Sequence, residues 1–234
     1  MNFSNEWNDQ YINGRQLSIW PWTDLISYVK RHVNLTKSPL RVLEIGCGAG
    51  ANIPFFQSLQ AEYYAIEGSS FIVSQLKERF ALYSENIKCG DFTTEIPFDV
   101  QFDLIVDRSA LTHNTTKSII QCLKILSSHL IPNGIFIGID WFSTEHSDYI
   151  FGEISDDKYT KKNIQEGQFK QLGNVHFSDA EHINNLFSPS FSIEKLEHKV
   201  ITSYPVTQNI RFASWNLLAR RLSDENNSGN RSPS

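Results

Sequence analysis

Between residues 40 and 140, short apolar runs alternate with segments in which apolar side chains recur every three or four residues. The runs predict buried strands, at residues 41–45, 63–66, 87–89, 102–106 and 134–139. The spacing of Ile72, Leu76 and Phe80 predicts one face of a helix between the second and third strands. Strands that alternate with helices need crossover connections, so the pattern predicts an α/β fold with a doubly wound parallel sheet.

The alternation stops where a polar insert begins. Residues 143–177 are longer than an ordinary connection, which is typical of a lid or of disorder. After the insert, Ser178-Asp-Ala-Glu181 has the pattern of a capping box and predicts the start of a short helix. Two further strands are predicted over 191–202 and 208–220, and the tail over 223–234 lacks apolar anchors, which predicts disorder.

A glycine loop follows the first predicted strand. Gly46, Gly48 and Gly50 stand at alternate positions, and Glu44 lies two residues before the first of them. Glycine allows a close approach of the backbone to a ligand, and the start of the next helix offers free N–H groups. The dinucleotide fingerprint would need a glycine at position 51, where this chain has Ala51, so the loop favours another ligand.

Acidic residues end the next two predicted strands. Glu67 and Gly68 close the second strand, and Asp91 and Phe92 follow the third. In open α/β sheets, ligands bind at the carboxyl ends of the strands, which is where these residues fall together. Taken singly, each carboxylate could equally be a solvated residue at a strand end.

The segment VLEIGCGAG resembles motif I of the class I S-adenosylmethionine-dependent methyltransferases, and the resemblance extends over residues 40–140 and the final two strands. It implies a seven-stranded, mostly parallel sheet with an antiparallel last strand, and S-adenosylmethionine as cofactor. Glu67 matches the acidic residue that binds both ribose hydroxyls, and Asp91 matches the one that recognises the adenine amino group. The cofactor-binding residues implied in the core are Glu44, Gly46, Cys47, Gly48, Gly50, Glu67, Gly68, Asp91, Phe92 and Asp107.

The N-terminal segment is rich in aromatic residues. Similar segments in the family fold over the cofactor, which implies that Tyr11 and Arg15 reach its methionine carboxylate and that Trp20 shields the site. The alternative is that the aromatic residues, Trp22 above all, pack the first helix against the sheet. For Tyr11 and Arg15 we expect cofactor contact, and for Trp22 we expect packing.

Substrate-binding residues are expected at the ends of the fourth and fifth strands. His113 is the candidate general base, because imidazole can take a proton at neutral pH. Arg108 could hold an anionic substrate, and Trp141 is expected to line the substrate pocket. Alternatively, His113 caps or packs the following helix and Arg108 pairs with Asp107.

The composition of the chain limits the kinds of partner that we expect. The 234 residues carry a net charge of -5, which leaves no basic footprint for nucleic acid, and three widely spaced cysteines predict neither disulfides nor a zinc site. We expect no metal. We also see no signal peptide and no apolar run long enough for a membrane, so a cytoplasmic location is expected. A monomer and a homodimer are equally compatible with the sequence.

We therefore expect one methyltransferase domain over residues 1–222. Its expected parts are a cofactor and substrate cover at 1–38, a cofactor-binding core at 40–140, a substrate-side insert at 143–187 and a terminal strand pair at 188–222. The expected reaction is methyl transfer to a hydroxyl, or an amine, of a small metabolite. The segments DRSALTHN and DWFS resemble those of methyltransferases in bacterial surface-sugar and natural-product pathways. A nicotinamide-dependent oxidoreductase and a catalytically silent binding protein of the same fold remain alternatives.

Overall fold

A computed structural model describes residues 5–204 and 210–222 of the protein. Its α-helices are α1 (Asn5–Ile12), α2 (Thr23–His32), α3 (Ile53–Ser58), α4 (Ser70–Arg79), α5 (Thr116–His129) and α6 (Ala180–Phe187). Its strands are β1 (Arg41–Ile45), β2 (Glu62–Glu67), β3 (Ile87–Cys89), β4 (Phe102–Arg108), β5 (Leu130–Phe142), β6 (Glu153–Ile154), β7 (Thr160–Lys162), β8 (Val175–His176), β9 (Phe191–Thr202) and β10 (Arg211–Arg221). The expected disordered tail lies outside the described residues, as do positions 208 and 209 of the last predicted strand.

The main sheet has seven strands in the order β3-β2-β1-β4-β5-β10-β9. The first five strands along the chain pair in parallel, while β10 is antiparallel to both of its neighbours. This confirms the predicted doubly wound, mostly parallel sheet with an antiparallel last strand. The order reverses between β1 and β4, which is where open sheets of this kind bind ligands.

Helices cover both faces of the sheet because successive residues of its strands point in opposite directions. Val42 belongs to the cluster of buried residues that contains side chains of α2, α3 and α4. Its neighbour Leu43 belongs to the cluster that contains side chains of α5 and α6. Each fully buried aliphatic or aromatic side chain stabilises the fold by about 1.5–3 kcal/mol, so these two layers fix the sheet and its edge.

The insert is folded. It contains a short 3₁₀ helix (Ser147–Ile150) and a three-stranded sheet in the order β6-β7-β8. It has its own apolar cluster, formed by Phe142, Ile164, Phe169, Leu172, Val175 and Phe177. Because these buried side chains anchor it, the insert forms a wall beside the edge of the main sheet, and the expectation of disorder is wrong.

The cap of α6 lies one residue later than predicted. The Asp179 side chain accepts a hydrogen bond from the His182 N–H at 2.7 Å, so Asp179, and not Ser178, is the N-cap. The Ser178 backbone is already bonded, since its N–H donates to the Phe142 carbonyl at 2.8 Å and its carbonyl accepts from the Trp215 indole at 2.8 Å. The end of the insert is therefore tied to β5 and β10.

Candidate active site

A cavity of about 510 Å³ opens at the carboxyl edge of the sheet. The N-terminal segment, the glycine loop, the ends of the parallel strands and the insert all contribute to its walls. Its volume lies in the range of small-molecule sites. The residues expected in the site that do line this cavity are Tyr11, Glu44, Gly46, Cys47, Gly48, Glu67, Gly68, Asp91, Phe92, Arg108 and His113.

The glycine loop has the backbone conformation that its sequence requires. Gly46 and Gly50 have φ angles of +61° and +76°, in the left-handed region. A Cβ on Gly46 would lie 2.2 Å from the Ala110 Cβ, and one on Gly50 would lie 2.6 Å from Leu76 Cδ2. Gly46 lines the cavity and Gly50 does not, and the cofactor contact expected of Gly50 stays a prediction. Gly50 allows the loop to pack against α4.

Glu44 connects the sheet to the N-terminal segment. Its carboxylate accepts hydrogen bonds from Asn52 Nδ2 at 2.8 Å and from the Tyr63 hydroxyl at 2.7 Å. Burial raises the pKa of Glu44 to about 7. The Asn52 side-chain oxygen in turn accepts from the Trp22 N–H at 3.1 Å. Glu44 thus lines the cavity and also fixes the residues that flank the loop.

Glu67 is fixed by backbone amides at the end of β2. Its two carboxylate oxygens accept from the N–H groups of Gly48, at 2.9 Å, and Ser69, at 3.0 Å. Burial raises the pKa of Glu67 above its usual range, while these amide bonds oppose the change. A carboxylate has about four lone-pair positions, so Glu67 can still accept bonds from two hydroxyls of a ligand.

Asp91 and Phe92 line the cavity after β3. Asp91 Oδ1 accepts from the Thr93 N–H at 2.9 Å and from the Thr93 hydroxyl at 2.6 Å, which orients the carboxylate at the start of its loop. Cys47 also lines the cavity. Burial raises the pKa of its thiol well above the usual range, so Cys47 stays neutral and serves as a small apolar wall.

Asp107 and Trp141 lie beneath the cavity and do not line it. The Trp141 indole donates to Asp107 Oδ2 at 2.6 Å, and Asp107 Oδ1 accepts from the N–H of Ala110 at 2.9 Å. Burial raises the pKa of Asp107 to about 7. The pocket position expected of Trp141 is therefore wrong, and the cofactor contact expected of Asp107 stays a prediction. Successive side chains of β5 point to opposite faces of the sheet. Trp141 therefore belongs to the cluster that contains side chains of α5 and α6, and Phe142 lines the cavity.

His113 lines the cavity in a neutral form. Its Nδ1 lies 3.2 Å from the Asn174 carbonyl oxygen, so Nδ1 carries the hydrogen and Nε2 keeps the lone pair. Burial lowers the pKa of His113 to about 4. Its ring lies edge-on to Trp7, with centroids 4.6 Å apart, and to Phe142, at 5.7 Å.

The alternative role of His113 as a helix cap is excluded, because another residue caps α5. The Thr115 side chain accepts from the Ser118 N–H at 3.3 Å, which is the N-cap bond of this helix. His113 precedes the helix in a short 3₁₀ turn (Leu111–His113) and packs against aromatic residues of the cavity wall.

Arg108 lines the cavity at the end of β4. Its guanidinium lies 3.6 Å from the centroid of the Trp22 ring and donates to Asp140 Oδ2 at 3.1 Å. The pairing of Arg108 with Asp107, which was the alternative, is not observed. Trp22 lines the cavity, whereas Trp20 is 77% exposed and does not, and the shielding role expected of Trp20 stays a prediction.

The two remaining N-terminal candidates, Tyr11 and Arg15, lie in different places. Tyr11 is buried, lines the cavity, and has its hydroxyl 3.3 Å from the point where a Cβ on Gly48 would stand. Burial raises the pKa of this hydroxyl far above its usual value, so it stays protonated. Arg15 lines a neighbouring depression and not the cavity, and the cofactor contact expected of it stays a prediction.

Sequence reasoning missed much of the wall opposite the glycine loop. The missed residues share an aromatic or amide side chain, and include Gln16, Gln168, Phe169 and Phe212. Phe169 is an apolar residue inside a polar segment, which is the signal that could have identified it as part of a folded wall. Among residues 5–204 and 210–222, no group of three or more His, Cys, Asp or Glu side chains could hold a metal ion. No helix in those ranges is long and apolar enough to cross a membrane.

Comparisons with known proteins agree with this geometry. A family model described as a methyltransferase domain matches residues 43–136. A search of curated proteins found no match. Among solved structures, an S-adenosylmethionine-dependent methyltransferase of Methanosarcina mazei is similar, with a TM-score of 0.65 at 16% identity over 87% of this chain and 99% of that one. One from Clostridium acetobutylicum ATCC 824 has a TM-score of 0.60 at 16% identity over 91% and 95%.

A third structure, an amino pentose methyltransferase from Micromonospora echinaspora involved in calicheamicin biosynthesis, has a TM-score of 0.56 at 15% identity over 95% of this chain and 99% of that one. At such identities these structures show a shared fold. The family model matches the segment that contains the glycine loop and the acidic strand ends. Residues 43–136 thus match a methyltransferase domain, and the sheet order has the class I methyltransferase fold that these structures share.

Proposed function

We propose that the enzyme methylates a hydroxyl group of a small molecule, with His113 as the general base. The observation that carries this proposal is the neutral imidazole in the cavity wall, with Nδ1 engaged by a backbone carbonyl and Nε2 able to accept a proton. Because burial lowers the pKa of His113 to about 4, the accepting form predominates at neutral pH.

The charge on the walls favours a hydroxyl over an amine. In the described part of the chain, the carboxylates that line the cavity belong to Glu44, Glu67 and Asp91, in or after β1, β2 and β3. The wall around His113 carries the cation Arg108 and aromatic rings instead. The Asp140 carboxylate beside this wall is already paired with Arg108, so a protonated amine in that half of the cavity would find no carboxylate in the lining, which is costly in a buried site.

We assign the cofactor to the half of the cavity formed by β1, β2 and β3. Glu67 would bind the two ribose hydroxyls, Asp91 would bind the adenine amino group, and the backbone of Gly46 and Gly48 would lie against the aminoacyl part. A Cβ on Gly48 would fill the space below the Tyr11 hydroxyl, so the loop offers backbone where the cofactor needs it. When bound, S-adenosylmethionine supplies a methyl group that its sulfonium already activates.

The chain itself aligns the acceptor and removes its proton. The rings of Trp7 and Phe142 exclude water beside His113 and hold its imidazole in place. His113 Nε2 takes the proton from the acceptor hydroxyl and later releases it to water. The similar structure named as an amino pentose methyltransferase supports an acceptor from sugar or natural-product chemistry.

Replacement of the base tests the proposal. We expect His113→Gln to lower kcat by about 10²–10⁴ on an accepted hydroxyl compound, because proton transfer loses its catalyst. Affinity for the demethylated cofactor, measured by calorimetry, should stay within a factor of about two. His32→Gln, on the exposed face of α2, is the matched control and should keep full activity. Full turnover by His113→Gln at every pH would remove His113 from the reaction.

A further inference from the structure

A second depression adjoins the cavity. It has a volume of about 430 Å³ and shares the residues Gln16, Gln168 and Leu172 with the cavity wall. The two spaces therefore meet between the N-terminal segment and the insert. An acceptor that places its hydroxyl beside His113 and extends outward would enter this depression, which we call the mouth.

The mouth is lined by cations and amides. Its lining residues are Gln10, Arg15, Gln16, Gln168, Lys170, Gln171 and Leu172. None of these is acidic, although the whole chain has more acidic than basic residues, 26 against 21. Arg15 and Lys170 come from separate segments of the chain and converge on the same space, so the local charge is opposite to that of the molecule.

The two cations of the mouth are also without ionic partners. Within residues 5–204 and 210–222, neither Arg15 nor Lys170 forms an ion pair, whereas surface cations such as Arg41 and Arg220 pair with glutamates. Both side chains are exposed, so their charges are available to a ligand from solvent. Arginine and lysine side chains with amide donors beside them are a suitable set for the oxygens of a phosphate group.

The backbone on both sides of the mouth has an uncommon conformation. Gln16 and Gln171 have φ angles of 58° and 60°, in the left-handed region that few residues other than glycine adopt. The Arg15 N–H donates to the Gln10 carbonyl at 2.8 Å, and the Gln171 N–H donates to the Ile164 carbonyl at 3.1 Å. These bonds hold each segment in place, and such conformations are concentrated at binding sites.

We propose that the mouth is a subsite for an anionic group of phosphate or diphosphate chemistry carried by the acceptor. This inference rests on the proposed function, because it extends the same acceptor outward from His113. Arg15 and Lys170 would bind the phosphate oxygens, and the glutamine side chains would add hydrogen bonds. The acceptor then belongs to the phosphorylated or nucleotide-linked hydroxyl compounds.

Binding of inorganic pyrophosphate tests the subsite. The protein is first saturated with the demethylated cofactor, and pyrophosphate is titrated by calorimetry and by amide NMR. We expect the NMR shifts to centre on the mouth and the double variant Arg15→Gln/Lys170→Gln to weaken binding at least tenfold. Lys117→Gln/Lys124→Gln, two exposed lysines of α5, is the matched control and should bind as the parent does.

Two outcomes would overturn the subsite. Equal pyrophosphate affinity in the two double variants would show that the mouth does not bind it. A tenfold loss of affinity for the demethylated cofactor in Arg15→Gln would assign Arg15 to the cofactor instead. The titration needs no turnover, so its result is independent of His113, whose role is judged by kcat. Tighter binding of an acceptor's phosphorylated form than of its dephosphorylated form would separate an acceptor group from free phosphate.

Discussion

His113 and Arg108 come from the same strand end, yet their surroundings give them different chemistry. Burial and the nearby Arg108 charge both lower the pKa of His113, whereas a guanidinium keeps its charge in proteins. Arg108 is held by Asp140 and by the Trp22 ring, so its charge is fixed in the wall. The acceptor half of the cavity therefore combines a neutral proton acceptor with a permanent cation.

The pH profile of the enzyme follows from His113. Since its pKa is lowered to about 4, the neutral base is present across pH 6–9 and is lost only as the pH falls through about 4. We expect kcat/KM to show no inflection that depends on His113 near 6.5, the ordinary pKa of histidine. The measurement is a pH–rate profile with the fold monitored by circular dichroism at each pH. An inflection near 6.5 that disappears in His113→Gln would mean that the imidazole is solvated.

Gly46 is required by the space around it as well as by its φ angle. A Cβ there would lie 2.2 Å from Ala110 Cβ, whereas a Cβ on Gly14, which also has a positive φ, would meet nothing within 4 Å. We expect Gly46→Ala to lower the free energy of unfolding by about 1–3 kcal/mol more than Gly14→Ala, through overpacking. Urea denaturation of both variants gives this difference. Equal losses would mean that the loop can shift away from Ala110.

At the scale of elements, the parallel strands were predictable because their apolar runs are local. β1 begins and ends at the predicted residues, and β3 does as well. β5 runs from 130 to 142, well beyond the predicted 134–139. Its Pro-Asn-Gly sequence suggested a turn, but the strand accommodates it with an irregular register beside β4. The sequence pattern does not reveal which turn sequences a neighbouring strand will tolerate.

The insert was not predictable because its stability is not local. Its cluster combines Ile164, Phe169 and Val175, which are separated by polar residues and follow no single period. His176 of its last strand contacts residues of two other elements. The His176 and His182 Nε2 atoms lie 3.1 Å apart, and His176 Nδ1 lies 3.1 Å from the Thr160 hydroxyl. These contacts exist only after β7, β8 and α6 have met.

The histidine pair makes this junction sensitive to acid. Burial lowers the pKa of His176 to about 3, so between pH 6.5 and 3 the unfolded chain binds a proton that the folded chain does not. Stability from this residue is complete above pH 6.5 and falls as the pH drops through that window. We expect the free energy of unfolding of the parent to fall relative to that of His176→Asn as the pH drops, by up to about 1.4 kcal/mol per pH unit. Urea denaturation at pH 7, 6 and 5 measures it, and a constant difference would contradict the expectation.

At the scale of the whole molecule, the N-terminal segment is bonded to distant parts of the sheet. Ser69 Oγ donates to Asn8 Oδ1 at 2.7 Å, and Lys199 of β9 donates to Asp24 of α2 at 2.7 Å. The Trp22 N–H reaches Asn52, and its ring lies under Arg108. The segment therefore joins the two halves of the cavity.

Removal of α1 tests this arrangement. Deletion of residues 1–12 takes Trp7 and Tyr11 out of the cavity wall and out of one helical layer, and keeps the side chains that α2 to α6 supply to the two layers. We expect affinity for the demethylated cofactor to fall at least tenfold by calorimetry, while the far-ultraviolet circular dichroism remains that of a folded α/β protein. The single variant Trp7→Phe is the milder control and should lose less. Unchanged affinity after the deletion would exclude a cofactor role for α1.

The candidate site was predictable where residues follow a strand directly and not where the chain has no period. Glu67 and Asp91 line the cavity because strand ends meet at one edge of the sheet. In Trp20-Pro-Trp22, by contrast, no periodicity predicts which ring points into the cavity, and in the structure it is Trp22. Arg15 lies in a loop whose direction depends on the insert, so its true neighbour, Lys170, lies 155 positions further along the chain.

The position of Tyr11 over the glycine loop has a kinetic consequence. Its hydroxyl lies 3.3 Å from the point where a Cβ on Gly48 would stand, so α1 lies against the loop to which we assign the aminoacyl part of the cofactor. We therefore expect one opening of this helix in every catalytic cycle, hinged in the exposed stretch that follows it.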